Sequence, residues 1–266
     1  MKVLVIGGGG REHAVCRALS RSKSVTRLLC APGNGGIASV AECVPIAATD
    51  VAGIVDYAKN NAVDFVVVTP DDPLALGMVD ALEEAGIPAF GPRKNAAVIE
   101  SSKVFSKNLM RKYGIPTAEF EVFDDLAEAE SYIRKKGAPI VVKADGLALG
   151  KGVVVAETME QAVEALREMM VERKFGESGS RVVIEEYMTG PEVTVLAFTD
   201  GKTIRPMPSS QDHKRVFDGN RGPNTGGMGA FTPSPYYTPE IAEECMRTIF
   251  RPTVEAMNSE GRPFKG

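Results

Sequence analysis

The sequence predicts an α/β protein in which an open parallel sheet is followed by an α+β domain. Apolar runs alternate with helical patterns through the first hundred residues, which is the strand–helix–strand order of a parallel sheet. These runs are continuously apolar, as expected for strands that helices cover on both faces. After about residue 101, short strands pair around intervening helices, and this order indicates a second domain of α+β type.

The elements of the first domain follow one another in a regular order. They are strand 3–6, helix 11–21, strand 27–31, helix 51–61, strand 65–69, helix 74–85 and strand 88–91. Right-handed crossovers between these strands would bring the turns at residues 7–10, 32–36 and 70–73 to one carboxyl edge of the sheet. Open parallel sheets bind their ligands at that edge.

The second domain is predicted from shorter segments. Its helices are 102–113, 126–136 and 159–174, and its strands are 140–143, 153–156, 182–187 and 193–199. Asp200 and Gly201 predict a two-residue hairpin turn into a strand at 202–205. Thr238 and Pro239 open a last helix as cap and first residue, and Pro252 is expected to interrupt or kink it.

Residues 211–230, QDHKRVFDGNRGPNTGGMGA, combine charged, amide and glycine residues with very few apolar ones. Val216 and Phe217 are the apolar residues among the first sixteen, too few for a helical or strand period. Ordered loops of this length in compact domains are usually functional. The segment is therefore either part of a site or a solvated, mobile loop.

Composition narrows the class of protein. A net charge of −4 argues against a protein that coats nucleic acid, which needs a dominant basic face. No apolar run approaches the roughly 18 residues of a membrane span, and no signal-peptide core follows Met1, so the expected location is cytoplasmic. The cysteines form no CxxC pair and the histidines are His13 and His213, which excludes a zinc site built from Cys and His.

The glycines at 7–10 follow a strand and suggest a phosphate site, because backbone amides at a helix start can hold phosphate. The dinucleotide fingerprint fails, since Glu12 or His13 occupies its third glycine position. The second strand ends in Cys-Ala-Pro at 30–32, without the acidic residue that would bind the ribose of NAD. The pattern disfavours a dehydrogenase and favours the phosphate of another substrate.

Residues 140–155, IVVKADGLALGKGVVV, place Lys143 at the end of a buried strand and Lys151 in a glycine-rich turn. The glycines that would let this turn close over an anion are Gly146, Gly150 and Gly152. The spacing is not that of a P-loop, because a glycine follows Lys151 where Ser or Thr should bind magnesium. The segment is either a polyphosphate site or an ordinary hairpin with two solvated lysines.

The strand at 182–188 ends in Glu185, Glu186, Tyr187 and Met188, and Glu192 follows after a Gly-Pro pair. An apolar strand that runs into a short linker suits a purine slot, and a carboxylate can accept both hydroxyls of a ribose. Taken singly, Glu185 and Glu186 read equally well as solvated charges at a strand end.

Several motifs together resemble one family. They are VLVIGGGGREHA at 3–14, APGNGG at 31–36, ESSK at 100–103, KADGLALGKGV at 143–153, VVIEEYM at 182–188, QDHKR at 211–215 and GPNTGGMGA at 222–230. In this order they resemble the phosphoribosylamine–glycine ligase family, also called glycinamide ribonucleotide synthetases, over essentially the whole chain. The resemblance implies a Rossmann-like domain at 1–101 and an ATP-grasp domain at 102–266, incomplete at its C-terminal end, with a small lobe at about 117–190.

The resemblance also implies a reaction. Glycine, 5-phosphoribosylamine and ATP would give glycinamide ribonucleotide, ADP and phosphate through glycyl phosphate, in purine biosynthesis. Such an enzyme needs positioning and electrostatic stabilisation of phosphoryl transfer, without a nucleophilic side chain of its own. The partners implied are these small molecules, with no nucleic acid, membrane or protein partner.

Site residues carry over from the family motifs. The catalytic residues implied are Lys143, Asp212, His213 and Arg215. The ATP contacts implied are Lys103, Lys143, Gly150, Lys151, Gly152, Glu185, Glu186, Tyr187, Met188, Glu192, Arg215 and Asn224. The substrate contacts implied are Gly8, Gly9, Gly10, Asn34 and Lys214. The cofactors implied are ATP and Mg²⁺ or Mn²⁺, whose protein ligands in the family are expected beyond Gly266, so that no metal ligand is named here.

Two departures from the family pattern bear on these expectations. Thr69 stands where the family usually has glycine and Asp71 where it has glutamate, which should alter the edge of the substrate pocket. The chain also ends at Gly266, as a C-terminally truncated form would, and we expect little ligase activity from it because Mg²⁺ would lack its ligands. Two alternatives remain open: another ATP-grasp carboxylate–amine ligase, and a nucleotide-binding fragment without turnover.

Overall fold

The computed structural model describes residues 1–147, 152–219, 221–225 and 227–266, except for the side chains at 177, 223 and 224. The chain divides into two compact units. The first unit is Met1–Val98 with Arg262–Gly266, and the second unit is Ile99–Gly261. Each unit has its own apolar core. The limits 1–101 and 102–266 inferred from sequence stay predictions.

The first unit is built on a five-stranded parallel sheet in the order β3-β2-β1-β4-β5. Its strands are β1 (Lys2–Gly7), β2 (Arg27–Pro32), β3 (Glu42–Cys43), β4 (Phe65–Val68) and β5 (Ala89–Phe90). Its helices are α1 (Gly10–Leu19), α2 (Val51–Asn60), α3 (Asp71–Leu76) and α4 (Met78–Glu84), and α5 (Lys94–Ser101) contains the division between the units. The predicted parallel sheet is confirmed.

Both faces of the central strand β1 are buried, as its continuous apolar run predicts. Leu4 and Ile6 pack with Ile54 from α2, whereas Val3 and Val5 pack with Cys16 from α1 on the other face. The single helix predicted at 74–85 is wrong in one respect. Gly77 adopts a left-handed conformation with φ +93°, which ends α3 and starts α4.

The core of the second unit is a four-stranded antiparallel sheet in the order β6-β9-β7-β8. Its strands are β6 (Phe120–Phe123), β7 (Ile140–Ala144), β8 (Val153–Ala156) and β9 (Val182–Glu186). Its helices are α6 (Lys103–Tyr113), α7 (Leu126–Lys136) and α8 (Met159–Leu166). The predicted helix 159–174 continues past α8 only as one wide π turn, Arg167–Val171.

Period-two alternation divides the residues of this sheet between two faces. Ile140, Val142 and Ile184 point into a core that also holds Ala129 and Ile133 of α7. Val183 and Phe120 lie on the other face and pack against Val104 of α6. Lys143 and Glu185 belong to this second face, because Lys143 lies directly opposite Val183 and Glu185 directly opposite Phe120 on the neighbouring strands.

Short antiparallel pairs complete the second unit. They are β10 (Ala197–Thr199) with β11 (Ile204–Pro206), β12 (Gln211–Asp212) with β15 (Ala230–Phe231), and β13 (Arg215–Phe217) with β14 (Arg221–Asn224). The predicted two-residue turn at Asp200 and Gly201 is wrong. Pairing resumes only at Ile204, because Asp200 Oδ1 accepts the amides of Lys202 and Thr203 at 2.9 and 2.6 Å.

The last helical segment consists of α9 (Pro239–Cys245), a π turn (Met246–Phe250) and α10 (Arg251–Ser259). Thr238 caps it as predicted, accepting the amide of Ile241. The interruption expected at Pro252 takes the form of the π turn just before it, since a wider turn accommodates a residue without an N–H. Among the described residues, no helix is both long and apolar enough to cross a lipid bilayer.

Candidate functional site

Three lysines gather around one buried carboxylate in the second unit. The Nζ of Lys143, at the end of β7, lies 2.7 Å from Glu185 Oε2, and the Nζ of Lys107, on α6, lies 3.2 Å from Glu185 Oε1. Lys103 precedes Lys107 by one turn of α6, and its Nζ donates to the carbonyl of Gly146 at 2.8 Å. Lys103, Lys107, Lys143 and Glu185 are called the lysine cluster below.

Asp145 fastens the start of α6 to the end of β7. Its Oδ1 accepts from the hydroxyl of Ser102 at 3.0 Å and from the amide of Val104 at 3.2 Å. Its Oδ2 accepts from Arg181 Nη2 at 2.6 Å. Ser102 is also the N-cap of α6, where its Oγ accepts the amide of Phe105. This arrangement fixes the places on the backbone from which Lys103 and Lys143 extend.

Burial makes the lysine cluster electrostatically unusual. Desolvation lowers the pKa of Lys103 and of Lys107, although neighbouring carboxylates oppose the shift in both cases. Three ammonium groups therefore lie in a partly dehydrated environment near Glu100, Asp145 and Glu185. An anion with several charges would stabilise the charged form of these lysines, which is the property a polyphosphate site requires.

The turn after β7 needs glycine at the position that contacts the lysine cluster. Gly146 has φ +98°, and a Cβ there would lie 2.5 Å from Ser178 Oγ. Ala144 donates its amide to the carbonyl of Gly152 at 2.8 Å, which closes the base of the turn. The predicted contacts Gly150 and Lys151 lie outside the described residues.

The residues after Glu185 differ from one another in exposure. Glu186 Oε1 accepts the amide of Glu119 at 2.9 Å, so this carboxylate secures the backbone before β6. Tyr187 is 43% and Met188 is 68% exposed, which leaves these side chains open to a ligand. The four residues predicted to hold a purine thus include one buried in the lysine cluster, one that holds backbone and two that are available.

Residues 211–230 form two nested antiparallel ladders, although their polarity predicts no strand. The outer pair is β12 with β15 and the inner pair is β13 with β14. Between them, His213 donates its amide to Gly229 at 2.9 Å, and Thr225 donates its amide to Lys214 at 2.7 Å. Backbone hydrogen bonds, which polar residues can make as well as apolar ones, therefore define this segment.

Its predicted site residues fall into separate groups. Lys214 Nζ lies 2.6 Å from Glu192 Oε1 and 3.9 Å from Asp212 Oδ1, so these three are brought together. Arg215 instead donates from Nη1 to the carbonyl of Gly222 at 2.6 Å, and the His213 ring stacks on Phe231 with centroids 5.6 Å apart. The predicted contact through the Asn224 side chain lies outside what the structure describes.

The first unit holds the predicted phosphate loop at the carboxyl ends of β1 and β2. Asn34 Nδ2 donates to the carbonyl of Gly8 at 2.8 Å, and Asn34 Oδ1 accepts the amide of Ile37 at 2.8 Å. The Gly9 amide donates to Glu12 Oε2 at 2.7 Å. Gly10 is the first residue of α1, so its amide has no acceptor within the helix.

Glu12 is a residue whose role sequence reasoning misses. It is 7% exposed, and its Oε1 accepts the hydroxyl of Thr69 at 2.8 Å while Oε2 holds Gly9. The carboxylate therefore folds back over the glycine turn and links it to the residue after β4. A glutamate three residues into a helix is a signal for such a backbone cap, and it could have suggested this role.

Lys107, Asp145 and Arg181 are the other residues that sequence reasoning misses. A lysine one turn after Lys103 lies on the same helical face, which is a usable signal for Lys107. Asp145 is two residues after Lys143 in the glycine-rich segment. Arg181 carries no local signal, because its partner Asp145 is distant in sequence.

Comparison with known proteins decides the family. The model of the phosphoribosylglycinamide synthetase N domain matches residues 1–100, and that of the phosphoribosylglycinamide synthetase ATP-grasp (A) domain matches residues 101–266. The chain belongs to the phosphoribosylglycinamide synthetase family. Together the two models extend over the whole sequence, and the second one identifies the sheet that carries the lysine cluster as part of an ATP-grasp domain.

Curated relatives of this family agree. The chain is 51% identical to a phosphoribosylamine–glycine ligase of Listeria monocytogenes and 52% identical to one of Streptococcus pneumoniae, in each case over 100% of this chain and 64% of the relative. The chain thus spans about 64% of the length of the curated relatives it matches.

Solved structures show the same fold. A phosphoribosylamine–glycine ligase of Thermotoga maritima superposes with a TM-score of 0.84 at 32% identity, covering 100% of this chain and 63% of that one. A biotin carboxylase domain of Hydrogenobacter thermophilus, crystallised with MgADP, superposes with a TM-score of 0.74 at 17% identity, covering 98% and 59%. At 17% identity, this second likeness shows a shared fold and nothing more.

Proposed function

We propose that this chain provides the nucleotide site of an ATP-dependent ligase that joins glycine to 5-phosphoribosylamine. The lysine cluster is the observation that supports this proposal most directly, since partly dehydrated ammonium groups beside a glycine turn suit a polyphosphate. Membership of the phosphoribosylglycinamide synthetase family supports the choice of substrates. A cytoplasmic location is part of the same proposal.

The proposed chemistry has two steps. A glycine carboxylate oxygen attacks the γ-phosphorus of ATP, and the bond between this phosphorus and the β–γ bridging oxygen breaks. The products of this step are glycyl phosphate and ADP. The amine of phosphoribosylamine then attacks the acyl carbon, phosphate leaves, and the nitrogen loses a proton. In the first step Lys103 and Lys143 are proposed to hold the phosphates of ATP by charge, leaving the nucleophile to the substrate.

The remaining predicted residues take part in the proposal by position. Tyr187 and Met188 would cover the adenine with their exposed side chains, and Glu192 would accept the ribose hydroxyls after leaving Lys214. Asp212, His213, Lys214 and Arg215 would line the path of the substrates. In the first unit, Gly8 to Gly10 and Asn34 would form the site for the ribosylamine phosphate, chiefly through backbone amides at the start of α1.

A divalent ion accompanies ATP in the proposal. Such an ion prefers carboxylate and other oxygen ligands. Among the residues that the structure describes, no three His, Cys, Asp or Glu side chains form a group that could hold a metal. The carboxylates of Glu185, Asp145 and Glu192 already contact cations. The described residues therefore do not fit a protein-held Mg²⁺ or Mn²⁺ site, and no step is derived through the ion.

The test is formation of ADP with ATP, glycine and 5-phosphoribosylamine, omitting each substrate in turn, beside direct measurement of ATP binding by calorimetry. We expect ATP to bind and little ADP to form, and the ADP that does form should depend on both other substrates. Turnover with another carboxylate in place of glycine would favour a different ATP-grasp ligase. ATP binding without ADP formation would favour a nucleotide-binding module, and absence of ATP binding would contradict the proposal at its base.

A further inference from the structure

Lys107 is a buried lysine to which the proposed reaction gives no role. Its side chain is 11% exposed, which leaves little surface for a ligand. Its Nζ donates to Thr117 Oγ1 at 2.6 Å and to the carbonyl of Ala118 at 3.4 Å, and it pairs with Glu185 Oε1 at 3.2 Å. Lysines are almost never buried unless they are paired. The contacts of Lys107 therefore hold the ammonium in one place.

The position of Lys107 determines how Glu185 is oriented. Each oxygen of this carboxylate contacts a different lysine, Oε1 with Lys107 and Oε2 with Lys143. The Glu185 side chain is 7% exposed, so water cannot readily replace either partner. Rotation of the carboxylate would break both contacts together. Because Lys107 holds Oε1, Oε2 points to Lys143.

We propose that Lys107 is a positioning residue that acts through Glu185 to hold the Lys143 ammonium in its place for the nucleotide phosphates. This inference rests on the proposed function for the identity of the ligand. Lys107 has no contact with the phosphates in this scheme. It fixes Glu185 relative to the hydroxyl of Thr117 and the carbonyl of Ala118, and Glu185 fixes the one lysine of β7.

Substitution of Lys107 by methionine, which preserves length without charge, is the direct test. We expect K107M to bind ATP and ADP about 10- to 100-fold more weakly. A loss of this size is typical when a group that orients a metal-binding side chain is removed. Adenosine lacks phosphates, so its affinity should change little. A merely structural role of Lys107 would weaken all three ligands together. Calorimetry measures ATP and ADP, and ligand-observed NMR measures adenosine.

Matched variants isolate the path through Glu185. K112M removes an exposed lysine from the same helix and should leave all three affinities unchanged. In an E185Q background, K107M should cause much less additional loss of ATP affinity, because the carboxylate through which Lys107 acts is already absent. Thr117→Val removes one acceptor of Lys107 without changing charge and should weaken ATP binding to a smaller extent. The T117V variant provides the test if K107M does not fold.

A crystal structure of the ligand-free K107M variant, or of T117V, gives a readout that needs no nucleotide. The expected result is a rotated Glu185 carboxylate that has lost its 2.7 Å contact with Lys143 Nζ. Retention of that contact, unchanged ATP affinity in K107M, or equal losses for ATP and adenosine would each overturn the inference. Failure of the unaltered chain to bind ATP would instead contradict the proposed function, and the crystal structure would still decide the role of Lys107.

Discussion

At the scale of single residues, the cost of burying positive charge is the property that most affects the proposed site. Lys103 donates to a neutral carbonyl, and the pKa of its ammonium is lowered chiefly by desolvation. A lowered lysine pKa means that the folded chain holds this proton less firmly than an unfolded chain does. A bound polyanion would strengthen the binding of this proton. In the proposed nucleotide site, proton uptake and nucleotide binding should therefore be linked at Lys103.

This linkage predicts the pH dependence of ATP binding. ATP affinity should be full while Lys103 is protonated and should fall as pH rises through its pKa, which lies below the usual 10.5. Lys103→Met should lower ATP affinity at neutral pH by about 10- to 100-fold, the equivalent of one hydrogen bond to a charged group, and should flatten the alkaline fall. Calorimetry between pH 7 and 10 measures both effects. An equally steep alkaline fall in K103M would contradict the assignment, and K112M serves as the control.

Glu12 shows how one carboxylate can shape a turn in the first unit. Thr69→Val removes the hydroxyl that donates to Glu12 Oε1 and leaves a buried charge with one fewer partner. We expect a loss of about 1–3 kcal/mol in the free energy of unfolding, measured by urea denaturation. Thr49→Val, at an exposed position of the same unit, should stay within about 0.5 kcal/mol. Equal stabilities of the two variants would show that Glu12 does not depend on Thr69.

At the scale of elements, the cap of α6 has two functions. Ser102 accepts the amide of Phe105 and donates to Asp145, so one side chain both starts the helix and links it to the strand that carries Lys143. Thr158 caps α8 by accepting the amide of Gln161 and provides a cap away from the lysine cluster. These two helices allow the stability of a cap to be separated from its effect on the site.

Alanine at each cap should give different results. Ser102→Ala and Thr158→Ala should each lower the free energy of unfolding by about 1 kcal/mol, the usual value of an N-cap. Only S102A should also weaken ATP binding, by about tenfold, because it removes one of the two hydrogen bonds by which Asp145 holds the start of α6. Parallel denaturation and calorimetry measure the two quantities. If T158A weakened ATP binding as much as S102A, general loosening of the unit would explain both.

The inner hairpin of residues 211–230 depends on Gly222. Its φ is +83°, and a Cβ there would lie 2.5 Å from the Phe217 ring and 2.9 Å from Val216. Gly222→Ala should destabilise this hairpin locally by about 1–3 kcal/mol and speed exchange of the Thr225 amide about 10- to 100-fold. Gly114 has φ +65° and open space around the position of a Cβ. Gly114→Ala therefore measures the free-energy cost of a side chain in this backbone conformation without a steric clash. Exchange of the Thr225 amide that is no faster in G222A than in G114A would contradict the expectation.

The same elements show what the sequence could predict. The predicted bounds of helix 126–136 and strand 153–156 agree with the observed ones, because caps and apolar periodicity are local signals. The sequence does not predict the short strands β3, β6 and β12 to β15, since their residues are partly polar and most of their pairing partners are distant. Lys143 could be singled out from its strand and glycine turn, whereas Lys107 and Arg181 matter through partners brought close only by folding.

At the scale of the whole molecule, two units with separate cores should respond separately to ligands. The lysine cluster and the nested ladders all belong to the second unit, and the glycine turn at residues 7–10 belongs to the first. Each unit can therefore gain stability only from ligands that its own residues contact.

This organisation predicts a divided pattern of hydrogen exchange. At a concentration of ATP about 100 times its Kd, amides of β7 and β9 should gain up to about 2.7 kcal/mol of protection, and amides of β1 and β4 should change little. Ribose 5-phosphate, as a probe for the ribosylamine phosphate, should protect residues 7–10 instead. Exchange measured by mass spectrometry distinguishes the two. Protection by ATP confined to the first unit would refute the placement of the nucleotide.

The bonds of Asp145 also have a consequence for the time at which the site forms. They join residues 43, 41 and 36 positions apart, from Ser102 and Val104 on one side to Arg181 on the other. None of them can form within a local segment, so the entropy of closing these loops must be overcome first. A chain still being synthesised therefore acquires Lys103 and Lys143 well before it can arrange them. The site becomes possible only once β9 has emerged and taken its central place in the sheet.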